Sequence, residues 1–274
     1  MNSPSYINLE TARAAALREL GVFVSLSESL GDQDWSRPTP CAGWNVGDLV
    51  GHVAGIPGYG YFAGRLRAAR VGRAGPGTNS SPIVPGAPSE VTGPLRRGAA
   101  EFAAEMERLS DGDLDRSLPI LPGRSQLLRA ALGQFVWEFA LHRYDLEWAL
   151  GNKVTLAPDV IRAVVLMTET NGRSTTRIDG YVPRAATPAP EVAESYVLVG
   201  DTVRWAFSFT PGVPSRPTSP TRSGNWSAGA VHERSCTIRG SDSAVCLVLC
   251  GRISTHNELV SATRGFVPRV FTVW

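Results

Sequence analysis

Glu138 and His142 stand four residues apart in the run Phe135-Val-Trp-Glu138-Phe-Ala-Leu-His142-Arg143-Tyr-Asp145-Leu-Glu-Trp-Ala149. On a helix that spacing brings both side chains to one face, and Ala131, Asp145 and Ala149 join the same stripe, with Phe135 at its edge. A carboxylate and an imidazole on an otherwise apolar stripe are costly to bury unless each finds a partner, and a shared cation serves both. His52, in Asp48-Leu-Val-Gly-His52-Val-Ala, offers a third donor from a second apolar helix face. Two histidines and one carboxylate leave coordination positions open to water, substrate or thiolate, the donor pattern of a catalytic rather than a structural zinc. The same donors also suit ferrous iron. The plainer alternative is that Glu138 and His142 hydrogen-bond each other and that His52 is an ordinary core or surface histidine.

The elements that must position these residues are read from periodicity. A first helix is expected from about Asn8 to Leu30, where Leu9, Ala12, Ala16, Leu20, Phe23, Leu26 and Leu30 recur at three- and four-residue steps. Asn45 is the N-cap expected for a second helix containing Val46, Leu49, Val50, Val53 and Ile56, which Pro57, Gly58 and Gly60 kink or end. Arg73 to Pro94 reads as an irregular loop. A third helix is expected from Ser89 or Thr92 to Leu109, and a fourth from about Ser125 to Leu150, closed by Gly151. Beyond Pro158, a helix from Asp159 to Thr170 precedes short, partly alternating segments at Ser195–Val199, Val203–Phe209 and His232–Arg239. Thr210–Trp226 reads as a long loop and Ala244–Leu249 as a covering helix. The expected fold class is α+β in two domains, a four-helix bundle over residues 1–155 and a small α+β domain over residues 156–274.

Composition narrows the function classes. The 274 residues carry 27 Lys and Arg against 25 Asp and Glu, and a net charge of +2 is too small for the dense positive field that grips a phosphate backbone. No stretch approaches the roughly 18 apolar residues needed to cross a bilayer, and Met1 to Leu20 lacks the basic start and unbroken apolar block of a secretion signal. A cytoplasmic location is expected, with neither nucleic acid nor membrane as partner. Cys41, Cys236, Cys246 and Cys250 are too sparse for a disulfide scaffold and read as reduced thiols, with Cys41, Cys246 and Cys250 as packing residues. His232 and His256 lack acidic or cysteine companions at ligand spacing. There is no Walker loop, dinucleotide fingerprint or nucleophile elbow.

The run Trp35-Ser-Arg-Pro-Thr-Pro-Cys41-Ala-Gly43-Trp44-Asn-Val-Gly-Asp48-Leu-Val-Gly-His52, taken with Glu138-Phe-Ala-Leu-His142-Arg143-Tyr144-Asp145, resembles the mycothiol-dependent maleylpyruvate isomerase family. That family has a DinB-like four-helix bundle as its N-terminal half. Ser235-Cys-Thr-Ile-Arg239-Gly240-Ser241-Asp242 followed by Leu249-Cys-Gly251-Arg252 is similar to the strand-to-helix unit of its C-terminal domain. The resemblance implies His52, Glu138 and His142 as ligands of a divalent metal, zinc in the family. It also implies mycothiol, the low-molecular-weight thiol of actinobacteria, as cosubstrate. A host of that kind suits a chain whose only lysine is Lys153. Asp145 falls at the acidic position after the second histidine, with a role in orienting a ligand or an arginine. Arg143 is the candidate for contact with a substrate carboxylate.

Two departures shape the expected chemistry. The Pro57-Gly58 break comes soon after His52, and the segments Arg73–Pro94 and Thr210–Trp226 look enlarged, as a wider acceptor pocket requires. The reading favoured here is a metal-dependent enzyme that moves or exchanges a thiol onto an electrophilic small molecule. Maleylpyruvate cis–trans isomerisation is the first alternative, and a metal-stabilised binding or regulatory module without catalysis is the second.

Overall fold

A computed structural model describes residues 6–41, 43–57, 62–71, 88–121, 124–173, 184–185, 194–209, 234–253, 258–262 and 271–272. The protein mixes helices and sheet and divides into two compact units, one of Tyr6–Ala163 and one built on Val164–Trp274.

In the first unit, helix α1 (Leu9–Glu28) buries Leu9, Ala12, Ala16, Leu20 and Phe23, the stripe its periodicity predicts. Helix α2 (Val46–Gly55) opens on a capping box. The Asn45 side chain accepts from the Asp48 amide, and the Asp48 carboxylate accepts from the Asn45 amide. The helix stops ahead of Pro57, and a further helix that periodicity did not predict, α3 (Phe62–Val71), starts soon after. Helix α4 (Pro88–Glu107) begins earlier than expected and turns the Pro88–Pro94 end of the anticipated loop into helix. Pro88 stands at the first helical position, where proline is at home, Pro94 lies inside the helix, and Val91 and Leu95 on either side of it are fully buried. The rest of that anticipated loop lies outside the described residues.

A hairpin of β1 (Ser117–Leu121) and β2 (Arg124–Leu127) was also missed, so the next helix, α5 (Leu128–Ala149), starts after Ser125 rather than at it. It ends as predicted, with Gly151 at φ +81° just past the cap residue Leu150. Helix α6 (Pro158–Arg173) begins in this unit. α1 packs along α5 and α4, α2 against α4 and α5, and α3 against α4 and β1. Phe62, Phe102, Phe135 and Phe139 form the centre, with ring centroids 4.4–6.1 Å apart. Burying four aromatic rings supplies several kcal/mol toward a rigid frame for α5, at roughly 1.5–3 kcal/mol each.

The second unit contains a short pair, β3 (Arg184–Ala185) with β8 (Phe271–Thr272). Its main sheet has the order β5-β4-β6-β7, from β4 (Glu194–Val199), β5 (Arg204–Phe209), β6 (Arg234–Gly240) and β7 (Val260–Ala262). β4 and β6 run parallel, with Val197 opposite Thr237, and the remaining pairs are antiparallel. Helix α7 (Asp242–Leu249) packs on β6 and β4. Its Asp242 carboxylate accepts from the Thr202 and Val203 amides, which ties the β4–β5 turn to the helix start. β4, β5, β6 and α7 fall on the expected strands and covering helix, while β3, β7 and β8 were not expected. Thr210–Trp226 lies outside the described residues. No helix among the described residues is long and apolar enough to cross a membrane.

Candidate metal centre

Helix α5 places Glu138, His142 and Asp145 on one buried face, with His142 and Asp145 fully buried and Glu138 5% exposed. α2 brings His52 to them from its last turn. His52 Nε2 lies 3.6 Å and His142 Nε2 3.5 Å from the same atom, Glu138 Oε1, and the imidazole centroids are 4.9 Å apart. One donor atom from each of the three residues lies within 4.8 Å of the others. Both imidazole-to-carboxylate distances are long for a hydrogen bond. They match the separation between donors that share a tetrahedral zinc, because bonds of about 2.0–2.2 Å put the donors about 3.3–3.6 Å apart. Glu138 Oε2 is buried with no hydrogen-bond partner among the described residues, a costly state for a carboxylate oxygen that a cation relieves. The donor set therefore fits a divalent metal.

Charge in the cluster is strongly coupled. Burial pushes the Glu138 carboxyl up, but His142 and His52 outweigh that effect and hold it down to about 2. Burial lowers the basicity of His142, yet Asp145, Cys41 and Glu138 together carry it well above the ordinary imidazole range. A proton on His142 thus stands where a cation is wanted. Asp145 Oδ2 lies 3.1 Å from His142 Nδ1, the ring nitrogen on the far side from Glu138. Such a contact fixes the ring and leaves Nε2 as the donor toward the cluster.

A tight loop completes the site. Residues Trp35–Asn45 fold back on themselves through bonds from the Thr39 amide to the Trp44 carbonyl, the Val46 amide to the Arg37 carbonyl and the Trp44 amide to the Cys41 carbonyl. Gly43, at φ +81°, allows the last of these turns. The loop sets Trp44 over both imidazoles, 4.9 Å from the His52 ring and stacked at 6.4 Å on His142. It also sets the Cys41 sulfur 3.3 Å from Asp145 Oδ2. Cys41 is buried, as a packing residue would be, but its thiol is also part of the polar cluster, which the sequence reading did not assign to it. Its only signal was its place in the motif that ends at His52.

The other candidates lie elsewhere. Arg143 turns to Glu19 on α1 and Glu147 on its own helix, away from the stripe that carries His142. Cys246 and Cys250 are buried in α7 and at its cap, where burial pushes the Cys246 thiol far up. His232 and His256 lie outside the described residues.

Residues 16–147, which include α2 and all but the last two residues of α5, match the family model described as the mycothiol maleylpyruvate isomerase N-terminal domain. Its span takes in His52, Glu138, His142, Asp145 and the Cys41–Trp44 loop. The fold is similar to the crystal structures of the mycothiol-dependent maleylpyruvate isomerase and of its H52A mutant. Each has a TM-score of 0.65 at 15% identity, over 96% of this chain and 96% of that one. A search of curated protein sequences found no match.

Proposed function

We propose that this protein is a metal-dependent enzyme that uses mycothiol, or a related small thiol, to attack an electrophilic small molecule, with His52, Glu138 and His142 as the metal ligands. The observation that carries the reading is the buried Glu138 Oε2, without a hydrogen-bond partner among the described residues, beside two imidazoles that converge on its other oxygen. A divalent ion held by these three supplies the positive charge that favours a thiolate over a thiol at neutral pH.

The chain's own residues do the rest. Glu138 stays ionised and lowers the net charge of the cluster. Asp145 holds the His142 ring by its outer nitrogen, and Trp44 covers the imidazoles and limits access of water. In the addition step the sulfur lone pair forms a bond to an electrophilic carbon, and the displaced electron pair moves to an acceptor carbonyl or leaves with a departing group. In the isomerisation variant the new single bond rotates, and elimination returns the thiol with the double bond in the trans form.

Transfer or exchange onto a bulkier acceptor is the preferred outcome, because Arg143 is already engaged by two carboxylates and is not available for a dicarboxylic substrate. Maleylpyruvate isomerisation is the second reading, favoured by the domain family of residues 16–147 and by the shared fold. The same proposal takes the helices as a DinB-like four-helix bundle forming a domain of residues 1–155, with an α+β domain over 156–274, zinc as the metal and a cytoplasmic setting. Mass spectrometry of products after supplying mycothiol with maleylpyruvate or with other electrophiles tests it. A mycothiol adduct supports transfer, and unadducted trans product supports isomerisation. No thiol-dependent product from any acceptor, with the metal site filled, would favour the non-catalytic module.

A further inference from the structure

The metal reading leaves Cys41 without a task. Its sulfur reaches Asp145 Oδ2 at 3.3 Å, the oxygen that also faces His142 Nδ1 at 3.1 Å. All three side chains are buried: Cys41 is 5% exposed, Asp145 and His142 not at all. At the inner end of this chain stands Glu138, whose Oε2 has no hydrogen-bond partner among the described residues. A thiol is a weak donor, but donation to a buried carboxylate is charge-assisted and the surroundings are dry. The donor comes from a segment whose backbone is pinned at both ends, since the Cys41 amide bonds to Thr39 Oγ1 and the Cys41 carbonyl accepts the Trp44 amide. Cys41 therefore cannot drift along the carboxylate.

The geometry points to Cys41 as a positioning residue for the metal centre: its S–H anchors the Asp145 carboxylate in the orientation that holds the His142 ring with Nε2 toward His52 and Glu138. This role rests on the metal reading above. It couples the Trp35–Asn45 loop to the ligand set, so that one short segment both covers the imidazoles with Trp44 and steadies one of them through Cys41. Without the thiol, Asp145 loses one of the contacts that orient its carboxylate toward the His142 ring.

Cobalt(II) titration of the purified, metal-stripped full chain tests the role, read by the visible absorption of the bound ion with no small thiol present. Cys41→Ala and Cys41→Val both remove the donor, one leaving space and the other filling it. Cys41→Ser keeps a donor. The expected result is roughly tenfold or weaker cobalt binding in the Ala and Val variants, with Ser within about threefold of the unaltered protein. Thermal melts identify any variant that fails to fold. Unaltered affinity in either folded donorless variant overturns the role of Cys41 while the metal site stands. A sulfur-to-cobalt charge-transfer band in the unaltered protein that Cys41→Ser abolishes also overturns it, by making Cys41 a ligand. No cobalt binding by the unaltered protein overturns the metal reading, and this role with it.

Discussion

Glu19 and Glu138 are buried carboxylates in the same helical unit, 2% and 5% exposed, and their surroundings put them to opposite uses. Glu19 Oε1 accepts two bonds from Arg18, at 2.7 and 3.0 Å, and Oε2 accepts from Arg143. A guanidinium is permanently charged and has only donors to offer, so it saturates the acid and ties α1 to α5. Glu138 instead faces two imidazoles, which can shed a proton and present lone pairs to a cation. The choice is made by neighbours in sequence. His142 and Arg143 project about 100° apart from α5, one toward His52 and Glu138 and one toward the seam with α1.

The strongest test of this contrast is His142→Ala. Metal content and thiol-dependent product formation are expected to fall together by roughly a hundredfold or more, since a ligand is lost outright. Full activity in a variant that elemental analysis finds metal-free would end the proposal. Paired charge removal comes next. Glu138→Gln, which keeps the volume, is expected to weaken cobalt binding about tenfold or more with the fold retained. Glu19→Gln should leave cobalt affinity alone but lower the free energy of unfolding by about 1–3 kcal/mol, because Arg143 loses a charged acceptor. Equal effects of the two variants on metal binding would erase the distinction between the two acids.

A smaller effect is expected from pH. His142 is raised above its ordinary 6.5 in the folded protein, so its contribution to stability is complete below that value and is lost as pH climbs through the folded pKa. Glu138 works the other way: its contribution is present above its ordinary 4.5 and disappears as pH falls toward about 2. The metal-free protein is thus expected to melt progressively lower as pH rises from 6.5. Added zinc should raise the melting temperature most at the alkaline end, where no proton competes for His142. Melts that respond to zinc equally at all pH values would contradict this. The smallest change is Asn45→Ala, expected to cost about 1 kcal/mol in a denaturant titration through loss of the α2 cap.

What the sequence revealed and what it hid follow from the range of the interactions. Glu138, His142 and Asp145 lie within two turns of one helix, so spacing alone puts them on one face. Asn45 and Gly151 mark helix ends through purely local chemistry. The Cys41 contact to Asp145 spans 104 positions, and no periodicity records it. α3 escaped notice because its sequence, Phe-Ala-Gly-Arg-Leu-Arg-Ala-Ala-Arg-Val, sets arginines among small residues rather than a clear apolar stripe, and follows a Pro-Gly break that reads as loop. Its helix is secured by Phe62 entering a cluster drawn from α4 and α5, a tertiary contact that overrides weak local preference. The β1–β2 hairpin was hidden for a related reason: Pro119 is a poor strand residue, and tertiary pairing with β2 holds that segment extended.

The two imidazoles differ in one further respect, for the His52 side chain is 26% exposed and that of His142 is sealed. Under the proposed function, and among the described residues, a small molecule would reach the cluster from the His52 side. His52 and Trp44 are only half-buried, while His142 and Asp145 are sealed behind them. On that reading, changes on the α2 side are expected to alter what is admitted, and changes on the α5 side what happens once it is inside.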